Sequence, residues 1–141
     1  MKIFQVVLVG AVFALGLARA GFAEEAGMMK QGMAMAPATD HGKYSEYTQA
    51  DFDAAKDMKR VLFFAAKWCS TCMATHKAFQ DKPDAVPAGV AVFKVDYDSS
   101  TDLKAKYGVP HMDTFVQVDK DGQKIALWNG GGVDGLAKNL K

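Results

Sequence analysis

The chain has 141 residues, enough for one domain with tails. Its residues are 50% hydrophobic, so a packed core can form, and the formal net charge is +1. No basic surplus points to nucleic acid, and no acidic run points to a solvating tail.

The first residues carry an address. Met1-Lys2 is a minimal positive start, Ile3 to Leu17 is an uncharged apolar run, and the small residues Ala18-Arg19-Ala20 and Gly21-Phe22-Ala23 precede Glu24-Glu25. This is the pattern of a secretory signal peptide, cut after Ala20 or Ala23. Ala23 is favoured, because the acidic pair then opens the mature chain. An uncleaved anchor is the competing reading, but the apolar run is short for a span of about 20 residues. Removing residues 1–23 takes away Lys2 and Arg19 and leaves a charge of −1. Export implies an oxidising compartment.

Residues 24–43 are small, polar and methionine-rich, without periodicity, and read as a flexible linker. A globular pattern begins at residue 44 and runs to 141. Tyr44 to Tyr47 reads as a short edge strand. Thr48 with Asp51 resembles a capping box and opens a helix through about Met58. Val61 to Ala66 is a continuous apolar run, the signature of a strand buried on both faces. A helix over 69–80 stops before Pro83 and Pro87. Val90 to Val95 is a second buried strand, and Asp98 to Thr101 caps a helix over 101–107 that ends at Gly108. Thr114 to Val118 and Lys124 to Trp128 are strands joined by a turn containing Asp121-Gly122, a hairpin signal. Gly130 to Gly132 form a loop before a final helix over 133–140. The order β-α-β-α-β-α-β-β-α predicts an α/β fold, with a mixed sheet of 4–5 strands and helices on both faces.

The chemistry concentrates in Trp68-Cys69-Ser70-Thr71-Cys72, which holds the chain's 2 cysteines. One disulfide is too few to staple a fold, so the pair is free to be chemical. A cysteine at a helix N-terminus meets unpaired N–H groups and the positive end of the helix dipole, which favours the thiolate.

These residues resemble the thioredoxin superfamily, and the resemblance covers residues 44–141. It rests on Trp68-Cys69-Ser70-Thr71-Cys72 between a buried strand and a helix. Tyr107-Gly108-Val109, followed by Thr114-Phe115-Val116, adds to it, as does the terminal hairpin with its glycines and helix. The resemblance implies a thioredoxin-like three-layer fold and a thiol:disulfide oxidoreductase with no organic cofactor. Cys69 would attack and Cys72 would resolve, with Trp68 and the loop Met112-Asp113-Thr114 shaping the site. Protein thiols and disulfides would be the partners, together with a membrane redox partner. The signal pattern and the resemblance together imply a periplasmic protein, which would act as a monomer.

The chain departs from the family in three places. The residue before that threonine is normally a cis-proline; here it is Asp113. A cis bond ahead of a residue other than proline costs about 2.5–4 kcal/mol, so Met112–Asp113 is expected to be trans. The acidic residue buried six positions before the first cysteine in thioredoxin is replaced by Phe63, and its lysine partner by Val92. His76, four residues after Cys72, is then a candidate proton acceptor on the same helix face, against an ordinary packing histidine. Asp113, if it faces Cys69, would oppose the thiolate by like-charge repulsion; otherwise it caps a turn.

Two other function classes compete. Met28, Met29, Met33 and Met35 are soft ligands, and Cys69 and Cys72 with His111 or Met112 could hold Cu(I). This resembles the copper-delivering branch of the superfamily, which uses a longer cysteine spacing; a plain linker is the alternative reading of the methionines. A non-catalytic binding domain is the third class, and the presence of both cysteines argues against it. The favoured reading has no bound metal.

Overall fold

A seven-residue strand at the centre of the sheet carries the architecture. The computed structural model describes residues 42–141, so the signal peptide expected over 1–23 and the methionines of the expected linker lie outside the described residues. β1 is Lys43–Glu46, α1 Gln49–Ala54, β2 Lys59–Ala65, α2 Ser70–Asp81, β3 Val90–Asp96, α3 Thr101–Tyr107, β4 Thr114–Val118, β5 Lys124–Asn129 and α4 Gly132–Asn139. A single 3-10 turn, Pro83–Ala85, follows α2. The sheet order is β1-β3-β2-β4-β5. β1 and β2 run parallel to β3, and β4 runs antiparallel to β2 and β5.

β2 is hydrogen-bonded on both edges, so its side chains alternate between two covered faces. Val61, Phe63 and Ala65 enter one core with Val92, Phe79 of α2 and Leu136 of α4. Leu62 and Phe64 enter the other with Phe93, Phe52 of α1 and Tyr107 of α3. Helices therefore cover both faces, giving the three layers expected from the sequence. Asp119 closes the β4–β5 turn by accepting the amides of Asp121 and Gln123 on Oδ1.

Several boundaries move for physical reasons. Lys43, read as the end of the linker, begins β1 and pairs with Ala91. Gly42 ahead of it packs so closely that a Cβ would lie 2.3 Å from the Pro87 carbonyl oxygen. α1 stops at Ala54, not Met58. Its Thr48 cap forms as expected, accepting the Asp51 amide at 3.0 Å. The Phe52 carbonyl, which a longer helix would use internally, accepts instead from Arg60 Nη1 at 3.0 Å. Arg60 is only 1% exposed. Its guanidinium stacks over the Phe52 ring and also donates to the Asp119 carbonyl, which extends β2 back into a charged stretch of sequence.

Candidate active site

Cys69 and Cys72 stand where β2 hands over to α2, and they are joined as a disulfide. Cys69 is the N-cap of α2: its Sγ accepts the backbone N–H of Cys72 at 3.1 Å. One of the free amides of the helix start is thus aimed at the sulfur that a thiolate would occupy. Cys69 is 5% exposed and Cys72 0%. The first cysteine is the more accessible of the two, but only at its edge.

The floor beneath the pair is aromatic. Phe63 is fully buried, stacked on Phe115 with ring centroids 4.4 Å apart, and Phe79 meets it edge-on. Phe115 in turn stacks on Trp128 at 5.5 Å. The position that holds an acid in thioredoxin therefore contributes only apolar surface, and Val92 is equally buried.

The wall opposite Cys69 is the loop before β4. All peptide bonds among the described residues are trans, Met112–Asp113 included. Asp113 takes φ 59°, the left-handed region that aspartate enters more readily than most side chains. Its N–H donates to the Phe64 carbonyl, and its own carbonyl accepts from Gly130 N. Asn129 clamps the same turn, donating from Nδ2 to the Met112 carbonyl at 2.9 Å and lying 3.1 Å from the Asp113 carbonyl and Thr114 Oγ1. Thr114 Oγ1 donates to the His111 carbonyl at 2.8 Å. Burial pushes the Asp113 carboxyl above the ordinary carboxylate range, and a hydrogen bond from Thr71 draws it partly back. The buried Oδ1 has no hydrogen-bond partner. Thr71 Oγ1 lies 3.2 Å from Cys69 Sγ. The structure thus brings Asp113 towards the cysteines through Thr71.

Trp68 is 64% exposed and flanks the site, held by Asp98, whose carboxylate accepts its Nε1–H at 3.1 Å. His76 points elsewhere. Its Nδ1 lies 2.7 Å from Tyr44 Oη, and Tyr44 stacks on Phe79. Burial lowers the His76 pKa, as does the nearby Lys94. Burial raises that of Tyr44, so the phenol keeps its proton and can donate to a neutral imidazole. His111 is exposed, and among the described residues no cluster of three or more His, Cys, Asp or Glu is placed to hold a metal ion.

Asn129 and Asp98 are site residues that the sequence pattern did not single out. Asn129 had a faint signal, an Asn at a strand end before three glycines. Asp98 reaches Trp68 across thirty positions, and no local pattern marks it.

The thioredoxin family model matches residues 43–141. The chain is 33% identical over 87 residues to Thioredoxin-T of Drosophila melanogaster, a match covering 62% of this chain and 55% of that one. It is 39% identical over 74 residues to Thioredoxin-2 of Pyricularia oryzae, covering 52% of this chain and 42% of that one. The chain thus spans about half the length of these two relatives. The crystal structure of Trxlp from Edwardsiella tarda matches in fold with a TM-score of 0.57 at 21% identity, over 70% of this chain and 99% of that one.

Proposed function

The chain belongs to the thioredoxin family, and from that premise we infer that it is a thiol:disulfide oxidoreductase working through Cys69 and Cys72. In the reducing direction the Cys69 thiolate attacks a substrate disulfide, forming one S–S bond and releasing a substrate thiolate. The Cys72 thiolate then attacks Cys69 in the mixed disulfide. The Cys69–Cys72 bond forms, the second substrate thiolate leaves, and two electrons have passed to the substrate. The observation that carries this reading is the Cys72 amide aimed at Cys69 Sγ from the start of α2, because it stabilises the attacking or departing thiolate. The Trp68 indole and the Met112-Asp113-Thr114 loop flank that sulfur and would hold the substrate backbone.

Protein disulfides are the substrate class, and a membrane redox partner would recycle the pair. Export to the periplasm is supported by the apolar run and small residues before Glu24. Turnover of a protein disulfide with dithiothreitol as electron source tests the activity. Cys69→Ser is expected to abolish turnover, and Cys72→Ser to accumulate a mixed disulfide. Full turnover by Cys69→Ser would overturn the reading. The mass of the chain recovered from the periplasm tests export, with loss of residues 1–23 expected.

A further inference from the structure

One polar group at the redox pair is left incomplete. Asp113 Oδ1 is buried beside the disulfide and has no close donor. Thr71 stands between the carboxyl and Cys69: its Oγ1 lies 3.2 Å from Cys69 Sγ, and its hydroxyl is the hydrogen-bonding group that draws the Asp113 carboxyl pKa back down. The loop is pinned from three sides, by Phe64, Gly130 and Asn129, so the carboxyl is delivered there by backbone geometry.

We propose that in the reduced protein Cys69 and Asp113 share a single proton through the Thr71 hydroxyl. A hydroxyl has one hydrogen to donate and lone pairs to accept. With Cys69 as thiol and Asp113 as carboxylate, the S–H donates to Thr71 Oγ1, and Thr71 donates to Asp113. With Cys69 as thiolate and Asp113 as carboxylic acid, the chain reverses and every group is still satisfied. The transfer is balanced: the Cys69 proton passes to Thr71 as the Thr71 proton passes to Asp113. The net charge of the trio is unchanged. When both groups are ionised, two anions compete for one hydroxyl hydrogen, so that state is disfavoured and the two titrations are coupled. The elements packed on Asp113 add no counter-charge: β2 offers the Phe64 carbonyl, and β5 and its following turn offer Asn129 and Gly130. α2 offers Thr71 and the cysteines, while His111 on the same loop is exposed. Asp113 thus acts on the thiol from the side wall, in a fold whose floor here is Phe63.

The proposal rests on the exchange reading above, and the two are tested separately. The full chain carrying Cys72→Ser is reduced, and Cys69 alkylation by iodoacetamide is followed across pH. The expected profile rises in two steps. Asp113→Asn collapses it to one step and speeds alkylation about threefold to tenfold at pH values where the native carboxyl is ionised and Cys69 is still largely thiol, because the like charge is gone. Thr71→Val slows alkylation there, because the thiolate loses its donor, and Thr71→Ser restores the parent profile. A merely structural role would move both variants in the same direction. An Asp113→Asn profile that superimposes on the parent overturns the proposal, as does a Thr71→Val profile that follows Asp113→Asn. Alkylation needs no protein substrate, so failure of the unmutated chain to turn over a disulfide strikes the exchange reading alone.

Discussion

The backbone N–H of Asp113 donates to the carbonyl of Phe64 at 2.8 Å, hanging the loop that faces the cysteines from the central strand. The bond fixes that wall to the same strand that ends at the redox pair. It also uses the donor that a proline would lack.

Restoring the family's proline here is therefore expected to fail. Asp113→Pro loses the bond to Phe64, and its ring cannot adopt φ 59°. The expected destabilisation is about 3 kcal/mol or more, read from urea unfolding. Asp113→Gly, which accepts the same φ without strain, is expected to stay within about 1 kcal/mol of the native chain. Equal stability of the proline and glycine variants would contradict this account.

Asp113→Asn has a pH signature in stability. Burial raises the carboxyl pKa in the folded state above its value of 3.8 in the unfolded chain. Folding therefore favours the protonated acid. That contribution is fully present below the unfolded value and is lost as pH rises through the raised folded one. The asparagine variant is expected to gain in melting temperature relative to native between acid and neutral pH. A difference that does not vary with pH would refute the burial argument.

Phe63 carries the floor of the site. Phe63→Ala removes a fully buried ring from the stack with Phe115 and is expected to cost about 3–5 kcal/mol. Phe63→Asp, which returns the family's acid, is expected to cost more, because the carboxyl enters an aromatic cluster with no partner. Denaturant melts of both variants check the order. An aspartate variant as stable as the native chain would mean that the floor tolerates charge.

His76 provides a second pH signature of opposite sign. Its folded pKa lies below the ordinary histidine value of 6.5, through burial first and then Lys94. Its contribution is present above the unfolded pKa and is lost as pH falls through the folded one. The stability gap between native and His76→Ala is expected to narrow on acidification. Tyr44→Phe, which removes the 2.7 Å hydrogen bond, is expected to cost about 1 kcal/mol near neutral pH. A gap that widens in acid would reverse the assignment.

The sequence revealed what depends on periodicity and local chemistry. Val61 to Ala66 announced a strand covered on both faces because its neighbours bury both sides. Asp121-Gly122 announced the hairpin because Gly122 needs φ 76°. Interactions between distant residues stayed hidden. Arg60 falls one residue before the strand expected over Val61 to Ala66, yet it belongs to that strand and is buried, because carbonyls of residues 52 and 119 converge on its guanidinium. His76 shares a helix with the cysteines, but Tyr44, thirty-two positions earlier, turns it towards β1. The trans bond before Asp113 followed from the cost of the cis form. The positive φ that lets Asp113 meet Thr71 did not, because it is imposed by Phe64 of β2 and by Asn129 and Gly130 at the end of β5.

The parallel run of β1 beside β3 has a use at the bench. Gly42 lies where the parallel strands begin, wedged against Pro87 and Val90. Cys69 lies just past the end where they finish. Seven residues of β2 at roughly 3.3 Å each separate the two ends by about 20 Å. A solid support, dye or fusion carrier joined just ahead of Gly42 thus attaches at the pole of the sheet opposite the disulfide. Immobilised there, the domain would present its redox face outward to a bulky protein client.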